Sequence, residues 1–195
     1  MVMIKNSFTS YNSSLIHNEQ LPKQLIVKFE EISNGKYPQV KVTLDGAQVG
    51  DIVDDNCHVD DGYRYHDVFH YTFATLLEWS PCSRSMLKRK RKSNEDLDRI
   101  EDGARAAITE EAISLMLFNN AKDNDYFYNR NSVDDSILTI IKNMAEPFEV
   151  KIKTKCEWEQ AILKSYEMFR KLRENKGGLI NFNFETKEII YQNLN

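Results

Sequence analysis

Cysteine is scarce in this chain: three residues, Cys57, Cys82 and Cys156, odd in number, far apart and without a CxxC pair. That excludes a disulfide framework and a zinc knuckle as organising devices. Histidine is almost as scarce, with four residues and none beyond His70. No apolar run approaches the ~20 residues a membrane span requires, and the polar stretch 1–19 lacks the apolar core of a secretion signal. Net positive charge is missing too: the balance is −4 with a pI near 5.6. A general nucleic-acid binder is therefore disfavoured. There is no internal repeat. These absences together predict a reduced, cytoplasmic protein without a membrane partner.

What is present is ordinary globular material. Hydrophobic residues make up 41% and charged residues 29% of 195, which argues against wholesale disorder and suffices for one buried core. Residues 1–22, rich in Ser and Asn and ending at Leu21-Pro22, read as a loosely ordered arm, and 23–195 as one domain. Gln24 to Ile32 alternates, with Leu25, Val27 and Phe29 on one side; Asn34-Gly35 is a hairpin turn signal, and Val40 to Leu44 is the partner strand. A helix is predicted over Tyr65–Trp79, stopped by Ser80-Pro81. A second is predicted from Asn94 to about Asn119, a third over Val133–Met144, a short strand over Phe148–Lys153, and a fourth helix from Thr154 to about Lys176, closed by Gly177-Gly178. Leu179 to Tyr191 reads as a terminal hairpin turning at Glu185 to Lys187. The expected class is mainly α within α+β: about four helices over 63–176, with a small antiparallel sheet from the flanking strands 24–46 and 179–191.

The chemistry concentrates in the first helical hairpin. One helix carries His66-Asp67-x-x-His70 and the other Glu110-Glu111, with Lys88-Arg89-Lys90-Arg91-Lys92 between them. Set antiparallel, the two helices bring Asp67 level with Glu110 and Glu111, because both rise equally per residue. Imidazoles and carboxylates meeting at one level suit a divalent metal. Glu111 interrupts the apolar stripe Ile108, Leu115, so it is expected as a buried carboxylate that must be paired, protonated or metal-bound. Plainer readings exist: first-turn capping for His66 and Asp67, a core histidine for His70, a surface acid for Glu110.

Glu101 and Asp102 lie roughly 15 Å along the helix from Glu111. They are expected either to pair with Arg105 or the basic run, or to support the site from outside its first ring or contact substrate. Lys88 to Lys92 is suited to phosphate oxygens. By the same hairpin geometry it falls at the far end from Asp67, so a neighbouring subunit is one way to bring the two together.

The segment Asp60-Asp61-Gly62-Tyr63-Arg64-Tyr65-His66-Asp67-Val68-Phe69-His70, with Glu78-Trp79-Ser80-Pro81, Lys88 to Ser93 and Glu101-Asp102-Gly103-Ala104-Arg105-Ala106, resembles MazG-like nucleotide pyrophosphohydrolases. The resemblance is to divergent members that add short strands at both ends. It implies an all-α nucleoside triphosphate pyrophosphatase, usually dimeric, that uses Mg²⁺ on helix carboxylates to release pyrophosphate. The family pattern is EExxE followed by ExxD. Asp67 matches the Asp of ExxD while Arg64 stands in place of its Glu; Glu110-Glu111 opens EExxE while Ser114 replaces its last Glu, and the order of the two motifs is reversed.

The resulting expectation is a metal-dependent pyrophosphohydrolase acting on nucleoside triphosphates. Asp67, Glu110 and Glu111 are the metal ligands, His66, His70 and Glu111 the catalytic groups, and Lys88, Arg89, Lys90, Arg91 and Lys92 the phosphate-binding groups. Glu101, Asp102 and Arg105 support them. The cofactor is Mg²⁺, with Mn²⁺ admitted by the imidazoles, and the protein is a homo-oligomer, dimer or higher. Two alternatives stand beside it. One is an HD-type metal phosphohydrolase using His66-Asp67 with His58 upstream, which lacks a late histidine here. The other is a nucleotide-binding or scaffold subunit without turnover, favoured by Arg64 and Ser114.

Overall fold

The computed structural model describes residues 12–33 and 35–194. Strand β1 (Gln24–Ile32) buries Leu25, Val27 and Phe29 and exposes Ile26, as alternation along a pleated strand requires. It pairs antiparallel with β2 (Gln39–Leu44), Val27 opposite Leu44. On its other edge it pairs antiparallel with β5 (Gly177–Asn183), Val27 opposite Ile180. β6 (Glu188–Gln192) extends the sheet beyond β5, and the two-residue strands β3 (Ala47–Gln48) and β4 (Val53–Asp54) both pair with β2. Chain from both ends thus builds one antiparallel sheet, with the helices between them in sequence.

The expected turn at Asn34-Gly35 falls partly outside the described residues, since Asn34 does; β1 and β2 do pair, but with Ile32 facing Gln39 rather than the Tyr37 that a two-residue turn there sets opposite it, so the connection spans 33–38. Asp45-Gly46 makes a second hairpin, both residues at positive φ as a two-residue type I′ turn demands.

Helix α1 (Asp67–Leu76) is entered through a 3-10 turn at Tyr63–Tyr65. It is buried on nearly every side: Tyr71 packs against Phe29 and Phe182 of the sheet, and Phe69 against Tyr166 and Phe169 of α5 (Lys155–Asn175). Its polar Thr72 and Thr75 hydroxyls donate to carbonyls one turn back, which satisfies them inside the core. The remaining helices are α2 (Pro81–Met86), α3 (Ala104–Lys122) and α4 (Asp135–Ala145). Thr154 caps α5 through a reciprocal capping box with Glu157.

Several elements differ from the sequence expectation. Ser80-Pro81 does not merely stop α1; Ser80 accepts the Ser83 amide as N-cap and Pro81 takes the first turn of α2. The helix expected from Asn94 to Asn119 is broken: Leu97–Glu101 forms a π-helical turn, and α3 starts only after Gly103. A side chain at Gly103 would sit 2.1 Å from the Arg99 carbonyl, so the approach of these turns needs a glycine. Phe148 to Lys153 is not a strand but a 3-10 turn over Glu149–Ile152. Helix α5 ends on Lys176 in the left-handed conformation, and Gly177 already belongs to β5, where a Cβ would meet the Phe29 carbonyl at 2.4 Å.

The arm expected over 1–22 lies partly outside the described residues. From Asn12 onward it is tied down: the Asn12 side chain bonds both backbone groups of Leu21, and Glu19 accepts the Ser93 amide and hydroxyl.

Candidate metal and phosphate site

His66 ends the 3-10 turn and Asp67 opens α1, so both are fixed where the chain enters the core. The turn itself is held from outside. Buried Arg64 bridges Glu31, Asp55 and Asp60 at 2.8–3.0 Å, while Asp55 accepts the backbone amides of Asp61, Gly62 and Arg64. Arg64, standing where the family pattern has Glu, is therefore a brace for the loop that presents His66. Tyr63 stacks flat on the His66 ring, centroids 4.4 Å apart. The His66 Nδ1 lies 3.0 Å from the Tyr63 carbonyl, which can only accept, so Nδ1 carries the proton and Nε2 offers a lone pair. That Nε2 is 3.5 Å from Asp67 Oδ1. Burial holds the His66 pKa below its usual value, against the opposing pull of Asp67.

His70, one turn further, is 1% exposed. Its Nδ1 is 2.8 Å from Glu110 Oε1 and its Nε2 is 3.2 Å from Glu111 Oε1, the latter off hydrogen-bond alignment, so that Nε2 has no hydrogen-bond partner among the described residues. Burial works against charging this ring, but Glu110 foremost, with Cys82 and Glu111, pushes its pKa well above the ordinary histidine value. A positive charge is favoured at that nitrogen.

Glu110 and Glu111 divide the work differently from the expectation. Glu110, fully buried, is the saturated one: besides His70 it accepts the Ser80 hydroxyl at 2.6 Å and the Cys82 amide at 2.9 Å. Both donors come from the start of α2, whose amides favour an anion there. Its oxygens are occupied by protein donors, and with His70 and Cys82 it also brings ligand atoms within 4.8 Å of one another. Glu111 does not interrupt a buried stripe. Ile108 and Leu115 are 68% and 48% exposed, and the buried face of α3 is Ala106, Glu110, Ile113, Leu117 and Phe118. The Glu111 side chain, 45% exposed, reaches into a cleft. Burial would raise its pKa, yet the neighbouring His70 and His66 hold it down at about 2, so it is a carboxylate at any ordinary pH.

The cleft, of about 550 Å³, is lined by Tyr63, Asp67, His70, Cys82, Met86 and Glu111, among others. That size is within the range of small-molecule sites. Cys82, unremarked in the sequence beyond its lack of a partner, has its Sγ 3.7 Å from Glu111 Oε1, and burial pushes its thiol up to about 12. His66, Asp67 and His70 bring ligand atoms within 4.8 Å of one another. His58 lines a different cleft, with Tyr37, Asp54 and Cys57, and does not join His66.

The basic run splits in two. Arg91, 1% exposed, is consumed internally: it grips Asp102 through Nε and Nη2, the Asp102 carboxylate also takes the Arg91 amide at 2.7 Å, and Glu149 closes the pair at 2.8 Å. Arg89 donates to the His17 carbonyl. Lys88, Lys90 and Lys92 instead line a second cleft with Glu19 and Asp98. That cleft and the His70 cleft share Ser85 on their walls. The run is thus not stranded at the far end of a hairpin: α2 folds back and returns it beside the site within one chain. Asp102 pairs with the basic run, one of its two expected fates, Glu101 accepts the Glu149 amide at 3.0 Å, and Arg105 is exposed on α3. Ser114, in place of the family's last Glu, is buried, its hydroxyl without a hydrogen-bond partner among the described residues.

Residues 6–195 match the family model described as the MazG C-terminal domain. The chain belongs to this family. Neither the comparison with curated proteins nor that with solved structures returns a match. Within this MazG-family chain, among the described residues, no helix is long and apolar enough to cross a membrane.

Proposed function

We propose that this MazG-family chain is a metal-dependent nucleoside triphosphate pyrophosphohydrolase, and that the cleft lined by Asp67, His70 and Glu111, with His66 beside Asp67, is its active site. The observation that carries the reading is the adjacency of two unlike clefts: one offers carboxylates and imidazole lone pairs, the other three lysines, and Ser85 belongs to both. A triphosphate needs both kinds of surface, one at the bond that breaks and one for the charge that leaves.

The residues fit a divalent cation, for which the family resemblance implies Mg²⁺. The Asp67 and Glu111 carboxylates and Nε2 of His66 and His70 are the groups available to hold it, and Glu110 fixes the His70 ring from behind. Such an ion, when bound, neutralises phosphate charge and makes a bound water more acidic. The protein's own groups do the rest. Glu111, permanently ionised, accepts a hydrogen bond from the attacking water and orients it. Lys88, Lys90 and Lys92 gather the oxygens of the departing pyrophosphate. Tyr63, whose hydroxyl burial and Glu111 hold near 12, remains a neutral donor on the cleft wall.

A second copy of the chain is the partner we infer for the exposed face of α3. Ile108, Ala112 and Leu115 form an apolar strip that also lines the active-site cleft, so a copy docked there closes it against water. Three free cysteines accord with a reducing, cytoplasmic setting.

Product analysis with a panel of ribo- and deoxyribonucleoside triphosphates tests the function. Pyrophosphate and nucleoside monophosphate, formed only with a divalent ion, support it. Tripolyphosphate release points to the HD-type reading. A nucleotide that raises the melting temperature but is never cleaved points to a binding subunit.

A further inference from the structure

The pyrophosphohydrolase reading requires a divalent cation, and the donor atoms bear on which. We propose that the centre is a nitrogen-rich site selective for a later first-row transition ion, such as Co²⁺ or Zn²⁺, over Mg²⁺, held by Nε2 of His66 and His70 with the carboxylates of Asp67 and Glu111. The inference rests on the site assignment above.

Each imidazole is fixed in the ligand tautomer by a separate acceptor. His70 Nδ1 faces Glu110 at 2.8 Å, and Glu110 has its other contacts from the Ser80 hydroxyl and the Cys82 amide, which are donors. His66 Nδ1 faces the Tyr63 carbonyl at 3.0 Å, and the flat stack of Tyr63 fixes the ring plane. A carboxylate or carbonyl behind Nδ1 is the arrangement that orients metal-bound histidines and strengthens them as donors. With Nδ1 turned to its acceptor, each ring directs Nε2 to the metal position, where on His70 the cation takes the place of a proton, and the ligand atoms of both rings and of Asp67 lie within 4.8 Å of one another. His70 Nε2 is the decisive atom: its residue is 1% exposed and lines the cleft, and no hydrogen bond satisfies that nitrogen among the described residues. A buried nitrogen facing the Glu111 carboxylate at 3.2 Å is completed by a cation.

Mg²⁺ prefers an octahedron of oxygens and keeps several waters, whereas imidazole suits the later first-row ions. The Cys82 thiol, 3.7 Å from Glu111 on the same wall, adds a soft donor for which Mg²⁺ has little affinity.

The test is made on chelator-treated protein without nucleotide. Co²⁺ is titrated with its visible absorption followed, then Mg²⁺ or Zn²⁺ is added in competition. The expected result is one Co²⁺ per chain, visible bands of a nitrogen- and oxygen-ligated ion, displacement by Zn²⁺, and no displacement by excess Mg²⁺. His66→Ala, checked for an unchanged melting temperature, weakens Co²⁺ by roughly 10–100-fold or more; Asp67→Asn serves should that variant fail to fold. Displacement by equimolar Mg²⁺, or undiminished Co²⁺ binding in a folded His66→Ala or Asp67→Asn protein, overturns the proposal. The two readings part cleanly. Selective Co²⁺ binding without turnover of any triphosphate removes the pyrophosphohydrolase and leaves the metal site, while turnover supported only by Mg²⁺ does the reverse.

Discussion

Two adjacent glutamates occupy the same turn of α3 and face opposite electrostatic problems. Glu110 is sealed in the core with every oxygen taken by Ser80, Cys82 or His70, while Glu111 stands at the cleft with one edge open. Their substitutions should separate accordingly. Glu110→Gln, which keeps the volume but loses the negative charge and one of the two acceptor oxygens that His70, Ser80 and Cys82 share, is expected to lower metal affinity by roughly 10–100-fold through the ring it orients. Calorimetric titration with a divalent ion checks this; an unchanged affinity would mean that Glu110 is only a core polar group. The sequence placed both glutamates at the level of Asp67, one turn from the His70 they meet, because helical rise is a fixed quantity. It could not rank them, since that depends on which side of α3 meets α1 and α2. Reading Ile108 and Leu115 as core put Glu111 inside and Glu110 outside, the reverse of their burial.

At the scale of elements, the basic run shows why a block of charge cannot be read as one unit. Arg91 and the three lysines have the same sign but different surroundings. Arg91→Ala leaves the buried Asp102 carboxylate with only the Arg84 Nε, 3.9 Å away, as a cation among the described residues, and should cost about 3–5 kcal/mol of stability. Lys88→Ala, Lys90→Ala and Lys92→Ala should each change stability by no more than about 0.5 kcal/mol, while raising KM for a triphosphate. Denaturant melts and steady-state kinetics on the four variants check the split; a stable Arg91→Ala protein would remove its structural role.

The loop over 55–66 makes a second prediction at this scale. Burial raises the Asp55 carboxyl pKa, but the Arg64 and Gly62 amides and the Arg64 guanidinium outweigh it and bring it below the usual 3.8. A carboxylate lowered in the folded state contributes stability that is present above its ordinary value and lost as pH falls through the depressed one. Asp55→Asn should therefore destabilise at neutral pH, with the gap from wild type closing only in acid below 3.8. Melting temperatures across that range measure it, and a gap independent of pH would contradict the ion-pair account.

Ser80-Pro81 carries a related lesson. A proline after an apolar helix reads as a terminator, yet the same pair is an N-cap and first-turn signature, and α2 is what turns the basic run back toward the site. The longer strands were legible from alternation, as in Leu25, Val27 and Phe29 of β1. The two-residue strands β3 and β4 were not, because a pairing that short leaves no period to read.

For the whole molecule, an exposed apolar strip lies beside the cleft, Ile108 and Leu115 on α3, where a second copy is proposed to dock. Placing a charge there should separate copies without touching the core. Ile108→Glu is expected to shift the mass measured by light scattering from an oligomer to a monomer and to lower turnover with it. A wild-type chain that is monomeric at assay concentrations would contradict this. The general plan, helices enclosed in sequence by strands that meet in one sheet, followed from the order of periodic segments. The adjacency of the two clefts did not, because it depends on how α2 packs rather than on how far apart the residues lie.

The central claim is that this cleft cleaves a triphosphate to release pyrophosphate, and Glu111 is where it is most exposed to test. Pyrophosphate release by wild type and Glu111→Gln is compared at equal saturation with a divalent ion, both proteins first matched in melting temperature. The account predicts metal-dependent release by the wild type and a loss of roughly 10²–10⁴-fold in the variant, the range a positioned catalytic group supplies. Equal rates from the two proteins would contradict it.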